Sequence, residues 1–125
     1  MKHGDRYKMK HFKLSEFECK CGCGLNNFNH ALAVLVDEMR ESCGFPFIVR
    51  SACRCISHNE KEGGKPRSDH LTGDGVDIKT ANNYQRFKII QEAIFRGVDR
   101  IGIGRSFVHQ GMRKGNPKER IWLYS

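Results

Sequence analysis

Ser68-Asp69-His70-Leu71-Thr72-Gly73-Asp74-Gly75-Val76-Asp77 sets an imidazole and a carboxylate seven residues apart across a glycine-rich turn. His70 offers a neutral ring nitrogen and Asp77 an anionic oxygen, a donor pair that Zn²⁺ accepts. Catalytic zinc typically takes three protein ligands and keeps a fourth position open for water. Two donors make no site, so a third is needed. His109 ends the apolar, strand-like run Arg100–Val108, where rigid backbone rather than a loose loop aims the side chain. It is the expected third ligand. Any one of the six histidines taken singly reads more simply as a surface or hydrogen-bonded residue, and only the constellation changes that.

The elements that position these residues follow from periodicity. Leu32, Leu35, Val36, Met39 and Cys43 recur at helical spacing after Asn29, and Gly44 with Pro46 supplies the stop, which predicts an amphipathic helix over 30–43. Phe47-Ile48-Val49 reads as a buried strand leading to Arg54. Ser57-His58-Asn59-Glu60 has a capping-box pattern for a short helix ended by Gly63-Gly64. The loop Gly64–Arg67 carries His70 in from solvent, and Gly75–Lys79 is a second strand. Asn82 caps a further helix whose Phe87, Ile90 and Ile94 are expected to face inward before Gly97. Strands near 100–103, 107–109 and 121–124 complete an α+β fold, a small single domain with a largely antiparallel sheet packed against two main helices. The 125 residues suit one core, with 1–11 expected as a flexible N-terminus.

Composition narrows the class. No run of about 18 apolar residues is present, and the basic N-terminus has no apolar stretch behind it, so neither a membrane span nor a secretory signal is expected. The chain is expected to be made in the cytoplasm. A formal charge of +8 and a pI near 9.4 call for a polyanionic neighbour: nucleic acid, an anionic membrane or an anionic wall polymer. No recognition module or basic strip interleaved with aromatics is found, so a specific nucleic-acid partner is not expected.

The six cysteines fall as Cys19-x-Cys21-x-Cys23, Cys53-x-Cys55 and a lone Cys43. Structural zinc usually draws on pairs spaced by two to four residues, so packing cysteines in a reducing compartment are expected ahead of a second zinc on the first cluster. In an exported protein, a disulfide from that cluster to Cys53 or Cys55 is the alternative.

Ser-x-His-x-x-Gly-x-x-x-Asp from Ser68 to Asp77, with Phe107-Val108-His109 and the terminal Trp122-Leu123-Tyr124, resembles the zinc D-alanyl-D-alanine carboxypeptidase family of murein peptidases, with its hedgehog/DD-peptidase-like fold. That family includes many phage endolysins. Phe12–Gly24 is similar to its N-terminal segment, and Val49–Cys55 with His58-Asn59 resembles its Ser-Gly-Tyr-Arg block, so nearly the whole chain is covered. The resemblance implies a zinc peptidase cutting an amide in peptidoglycan stem peptides, a monomer that acts on the cell wall after release. Zinc at His70, Asp77 and His109 would polarise the scissile carbonyl and lower the pKa of water toward about 7. Arg54 is the implied positive partner for an oxyanion or a substrate carboxylate, against the reading that it merely pairs with a structural carboxylate. Ser68 is expected to orient the loop or a substrate group.

Two departures stand out. Relatives often carry an acidic residue or histidine shortly before the third ligand as general base, and 103–108 here offer none. Gln110-Gly111 follows His109, where relatives typically have an acidic residue two positions on. Asp74, Asp99 and Glu119 are available carboxylates. The alternative is therefore a catalytically silent zinc or peptidoglycan-binding module.

Overall fold

The computed structural model describes residues 8–124. Its first long element is helix α1 (His30–Cys43), in which Leu32, Val36, Met39 and Cys43 are buried as their spacing predicts. The Asn29 side chain accepts from the amides of Ala31 and Leu32, satisfying donors that the first turn leaves without helical partners, and Gly44 closes the helix in the left-handed region at φ 76°.

Five strands form one sheet in the order β1-β2-β4-β3-β5: β1 (Val49–Ser51), β2 (Gly75–Lys79), β3 (Arg100–Ile103), β4 (Phe107–Gly111) and β5 (Arg120–Leu123). All neighbours run antiparallel except β3 and β5, which are parallel. Side chains alternate between faces, and the alternation divides core from site. Val76, Ile78, Ile101 and Val108 are buried in the core with Met39 of α1 and Ile89 and Ala93 of helix α3 (Asn83–Phe95). Each large side chain buried in this way contributes about 1.5–3 kcal/mol. The opposite face carries one row across the sheet, in which Ser51 pairs with Asp77, Asp77 with His109, His109 with Gly102 and Gly102 with Trp122.

Three local expectations are corrected. The strand expected at Phe47–Val49 is displaced to Val49–Ser51, because Ile48 points to solvent at 56% exposure while Phe47 is buried before the ladder begins. The short helix α2 (Ile56–Lys61) is capped by Cys55 rather than at Ser57, the thiol sulfur accepting from the His58 amide. On α3, Asn82 does cap, but Phe87 and Ile94 are exposed and Ile90 only half-buried; the buried positions are Ile89 and Ala93. This short i, i+4 stripe suffices because Val98, just past the helix, fills the remaining core space.

The expected flexible segment 1–11 falls partly outside the described residues. Within them, the backbone amides of Lys10 and His11 donate to the buried Asp37 of α1 at 3.0 and 2.8 Å. No helix of the described residues is long and apolar enough to cross a membrane.

Candidate metal centre

Three elements bring the expected ligands together. His70 lies in the 3₁₀ turn Asp69–Thr72, Asp77 in the middle of β2 and His109 in the middle of β4. All three are buried, and their donor atoms lie within 4.8 Å of one another. Asp77 Oδ1 is 3.2 Å from His70 Nε2 and 2.8 Å from His109 Nδ1. Zinc bound to nitrogen and oxygen at about 2.0–2.1 Å in a tetrahedron separates its donors by roughly 3.4 Å, so the donor set and its spacing fit this ion.

The outward ring nitrogens are held as well. His70 Nδ1 donates to the Ala52 carbonyl at 2.6 Å, which leaves the Nε2 lone pair facing Asp77. His109 Nε2 donates to Asp69 Oδ2 at 2.9 Å, which leaves Nδ1 facing the same point. Ser68 caps the turn, its hydroxyl accepting from the His70 amide at 3.2 Å.

Asp69 is a residue that spacing alone did not single out. Besides His109, its carboxylate accepts from Arg100 Nε and Nη2, the Arg113 amide and Asn116 Nδ2. Gly111 makes room for it, since a Cβ there would lie 2.1 Å from Asp69 Oδ2. The glycine two positions past His109, a departure in the sequence, thus faces a carboxylate brought from the loop. Its signal was the acid between Ser68 and His70, whose partners lie 31 to 47 residues away.

The charges reinforce one another. Burial opposes ionisation of Asp69, but hydrogen bonds from His109 and Arg100 outweigh it and hold the carboxyl well below the usual range. Burial likewise opposes charge on Asp77, and His109 and His70 overcome it. Burial pushes His70 toward the neutral form against the pull of Asp77. For His109 burial acts in the same sense, yet Asp69 and Asp77 on either side raise its pKa. Two carboxylates around two imidazoles make a place that favours a cation.

Arg54 is 7% exposed and is aimed by its neighbours. Its Nε donates to Ser51 Oγ at 3.0 Å, Nη1 to Asn59 Oδ1 at 3.3 Å, and Nη2 lies 3.6 Å from Asp77 Oδ2. Sequence reasoning missed Arg50, whose Nη1 is 3.7 Å from the same oxygen and whose guanidinium lies over the Phe107 ring.

These residues line a cleft of about 900 Å³. Trp122 and Tyr124 wall it, the Trp122 ring 5.6 Å from that of His109. Gly102 permits this, because a Cβ there would lie 2.6–2.8 Å from those two side chains. Arg50, Arg54, Lys65, Arg67, Arg100 and Arg120 make the lining strongly basic, with Glu62, Asp69 and Asp77 as its carboxylates among the described residues. The other candidate acids lie elsewhere: Asp74 accepts from Asn29 and Thr72, and Asp99 and Glu119 border a separate cavity of about 540 Å³.

The α+β fold thus brings two histidines and an aspartate together on one face of its sheet, a group that could hold a metal ion. A family model for peptidase M15 matches residues 10–110, and the chain belongs to that family. The matched stretch contains the three converging side chains, and the family is one of zinc peptidases acting on peptidoglycan. No curated protein matches the chain.

Proposed function

We propose that this protein is a zinc-dependent peptidase that hydrolyses an amide bond in the peptidoglycan stem peptide, a cell-wall-degrading protein of phage or prophage origin that is made in the cytoplasm and acts as a monomer after release. The convergence of His70 Nε2, Asp77 Oδ1 and His109 Nδ1 at the floor of a basic cleft carries this reading.

His70, Asp77 and His109 would hold the zinc, which when bound would supply Lewis acidity toward a carbonyl and a water of lowered pKa near neutral pH. The chain's own groups do the rest. Ala52 and Asp69 fix both imidazoles, so the two lone pairs meet without reorganisation. Arg54, held by Ser51 and Asn59, presents a guanidinium edge beside Asp77, where it serves a developing oxyanion or a substrate carboxylate. The remaining cations suit the carboxylates of a stem peptide, and Trp122, Tyr124 and Phe107 offer apolar walls to its short side chains. Glu62, an exposed carboxylate in the cleft lining, is the proton acceptor we assign, because Asp77 belongs to the proposed ligand set and Asp69 is engaged by His109 and Arg100.

The test is solubilisation of purified murein. Wild-type protein should release stem-peptide fragments, a chelator should stop it and zinc restore it, and His70→Ala, Asp77→Ala and His109→Ala should each lose both activity and about one zinc per chain. Binding to sacculi with no release at any pH would establish the silent binding module instead.

A further inference from the structure

A second cluster lies outside the cleft. The sulfurs of Cys19, Cys21, Cys23 and Cys55 all lie within 4.8 Å of one another, with Cys19 to Cys21 at 3.4 Å and Cys21 to Cys55 at 3.7 Å. Cysteines that serve as packing should be buried. Cys43 and Cys53 are, and so is Cys19 of the cluster, but its other three members are not: Cys21 and Cys23 are exposed and Cys55 is half-buried. The expectation of packing cysteines therefore does not account for this group.

We propose that Cys19, Cys21, Cys23 and Cys55 form a structural zinc site. A tetrahedron of sulfurs at about 2.3 Å from zinc has edges of roughly 3.8 Å, close to the separations found, and four sulfur donors with no open position are the composition of a closed, structural centre. The backbone explains how a Cys-x-Cys-x-Cys run, with spacings tighter than usual, reaches this arrangement. Gly22 and Gly24 adopt φ 88° and 86°, which L side chains avoid, and a hydrogen bond from the Gly22 amide to the Cys19 carbonyl curls this loop so that alternate residues converge. Two backbone amides point at sulfur, Cys55 N–H to Cys19 and His58 N–H to Cys55, both at 3.4 Å. Such donors favour sulfur in its anionic, metal-binding form.

The location gives the site its consequence. It clips the 19–24 loop to the residue following Arg54, and Ala52, whose carbonyl holds His70, is three positions before Cys55. The amides of Cys53 and Arg54 are tied to Phe17 and His70. A zinc on the sulfurs would thus brace the segment that orients His70 and carries Arg54. This inference does not depend on the peptidase reading.

Protein purified under reducing conditions should contain about two zinc ions per chain, one from each site. Cobalt-substituted protein should show thiolate-to-cobalt charge-transfer absorption, which the His-Asp-His site cannot produce. Cys21→Ser should lose that absorption and one equivalent of zinc, whereas His109→Ala and Cys43→Ser should keep the absorption. If Cys21→Ser fails to fold, the wild-type cobalt spectrum decides alone. A wild-type spectrum without the charge-transfer band would overturn the proposal. So would unchanged zinc in Cys21→Ser, iron in place of zinc, or disulfides among these four cysteines in freshly isolated protein.

Discussion

Asp77 and His109 occupy directly opposed positions on the antiparallel strands β2 and β4, with Asp77 Oδ1 2.8 Å from His109 Nδ1. The hydrogen-bond ladder of the sheet, rather than a loop, sets the distance between two of the three converging side chains. A slip of either strand by one residue would turn its own member of the pair into the core and destroy the site, along with the packing of Val76 and Ile78 on β2 or of Val108 on β4. His70, the third of these side chains, is brought by a turn, and it is fastened at its backbone by Ser68 and at its ring by Ala52.

Asp69→Asn should weaken zinc binding by about 10–100-fold, the usual effect of removing a partner that orients a metal-binding histidine. Arg100 loses its charged partner at the same time, so the melting temperature should fall as well, by an amount corresponding to about 1–3 kcal/mol. Competition with a chromophoric chelator and a thermal melt measure the two effects. Wild-type zinc affinity in the variant would show that Asp69 has no part in orienting His109.

Arg54→Lys should keep fold and zinc yet lose activity, because an ammonium cannot satisfy Ser51 and Asn59 while also facing the cleft. A donor acting in the transition state is worth about 2.7–4 kcal/mol, on the order of 10²–10³ in rate. The loss falls on kcat if the contact is with the oxyanion, and on KM if it holds a ground-state carboxylate. Unchanged kinetics with a lowered melting temperature would make Arg54 a structural partner of Asp77.

What the sequence made legible was local or strongly patterned. Helix α1 is readable from its stripe, its asparagine cap and its glycine stop, and the meeting of His70, Asp77 and His109 from donor types set against an apolar strand. Residues whose roles arise from distant contacts were not. Asp69 looks like any loop acid until His109, Arg100 and Asn116 surround it. Cys55 reads as half of a Cys-x-Cys pair with Cys53, yet it turns toward the sulfurs of 19–23 while Cys53 turns into the core. The inward face of α3 was misread because Phe87 and Ile94 are apolar but exposed, and period alone does not choose between overlapping stripes.

Glu62→Gln should leave zinc content unchanged and reduce kcat by about 10²–10⁴, the range for a general acid–base group. Replacement of Asp74, Asp99 or Glu119, none of which lines the cleft, should have no comparable effect. Steady-state kinetics of the four variants on a synthetic stem peptide decide the assignment, and full activity of Glu62→Gln would refute it.

Gln110→Met should stabilise the fold. Gln110 is completely buried beneath the sheet, and neither of its amide atoms has a hydrogen-bond partner. An unsatisfied buried group costs about 1–3 kcal/mol, so a thioether of similar length should raise the melting temperature by several degrees. A lowered melting temperature would mean that the amide is paired in solution.

Mass spectrometry of muropeptides after digestion of purified sacculi tests the central claim most directly, because it reports the broken bond itself. The account predicts stem-peptide fragments with a new amine and a new carboxylate at one amide position, absent after chelation, restored by zinc and absent with His109→Ala. Intact stem peptides, cleavage confined to the glycan, or peptide cleavage that persists in His109→Ala would contradict it.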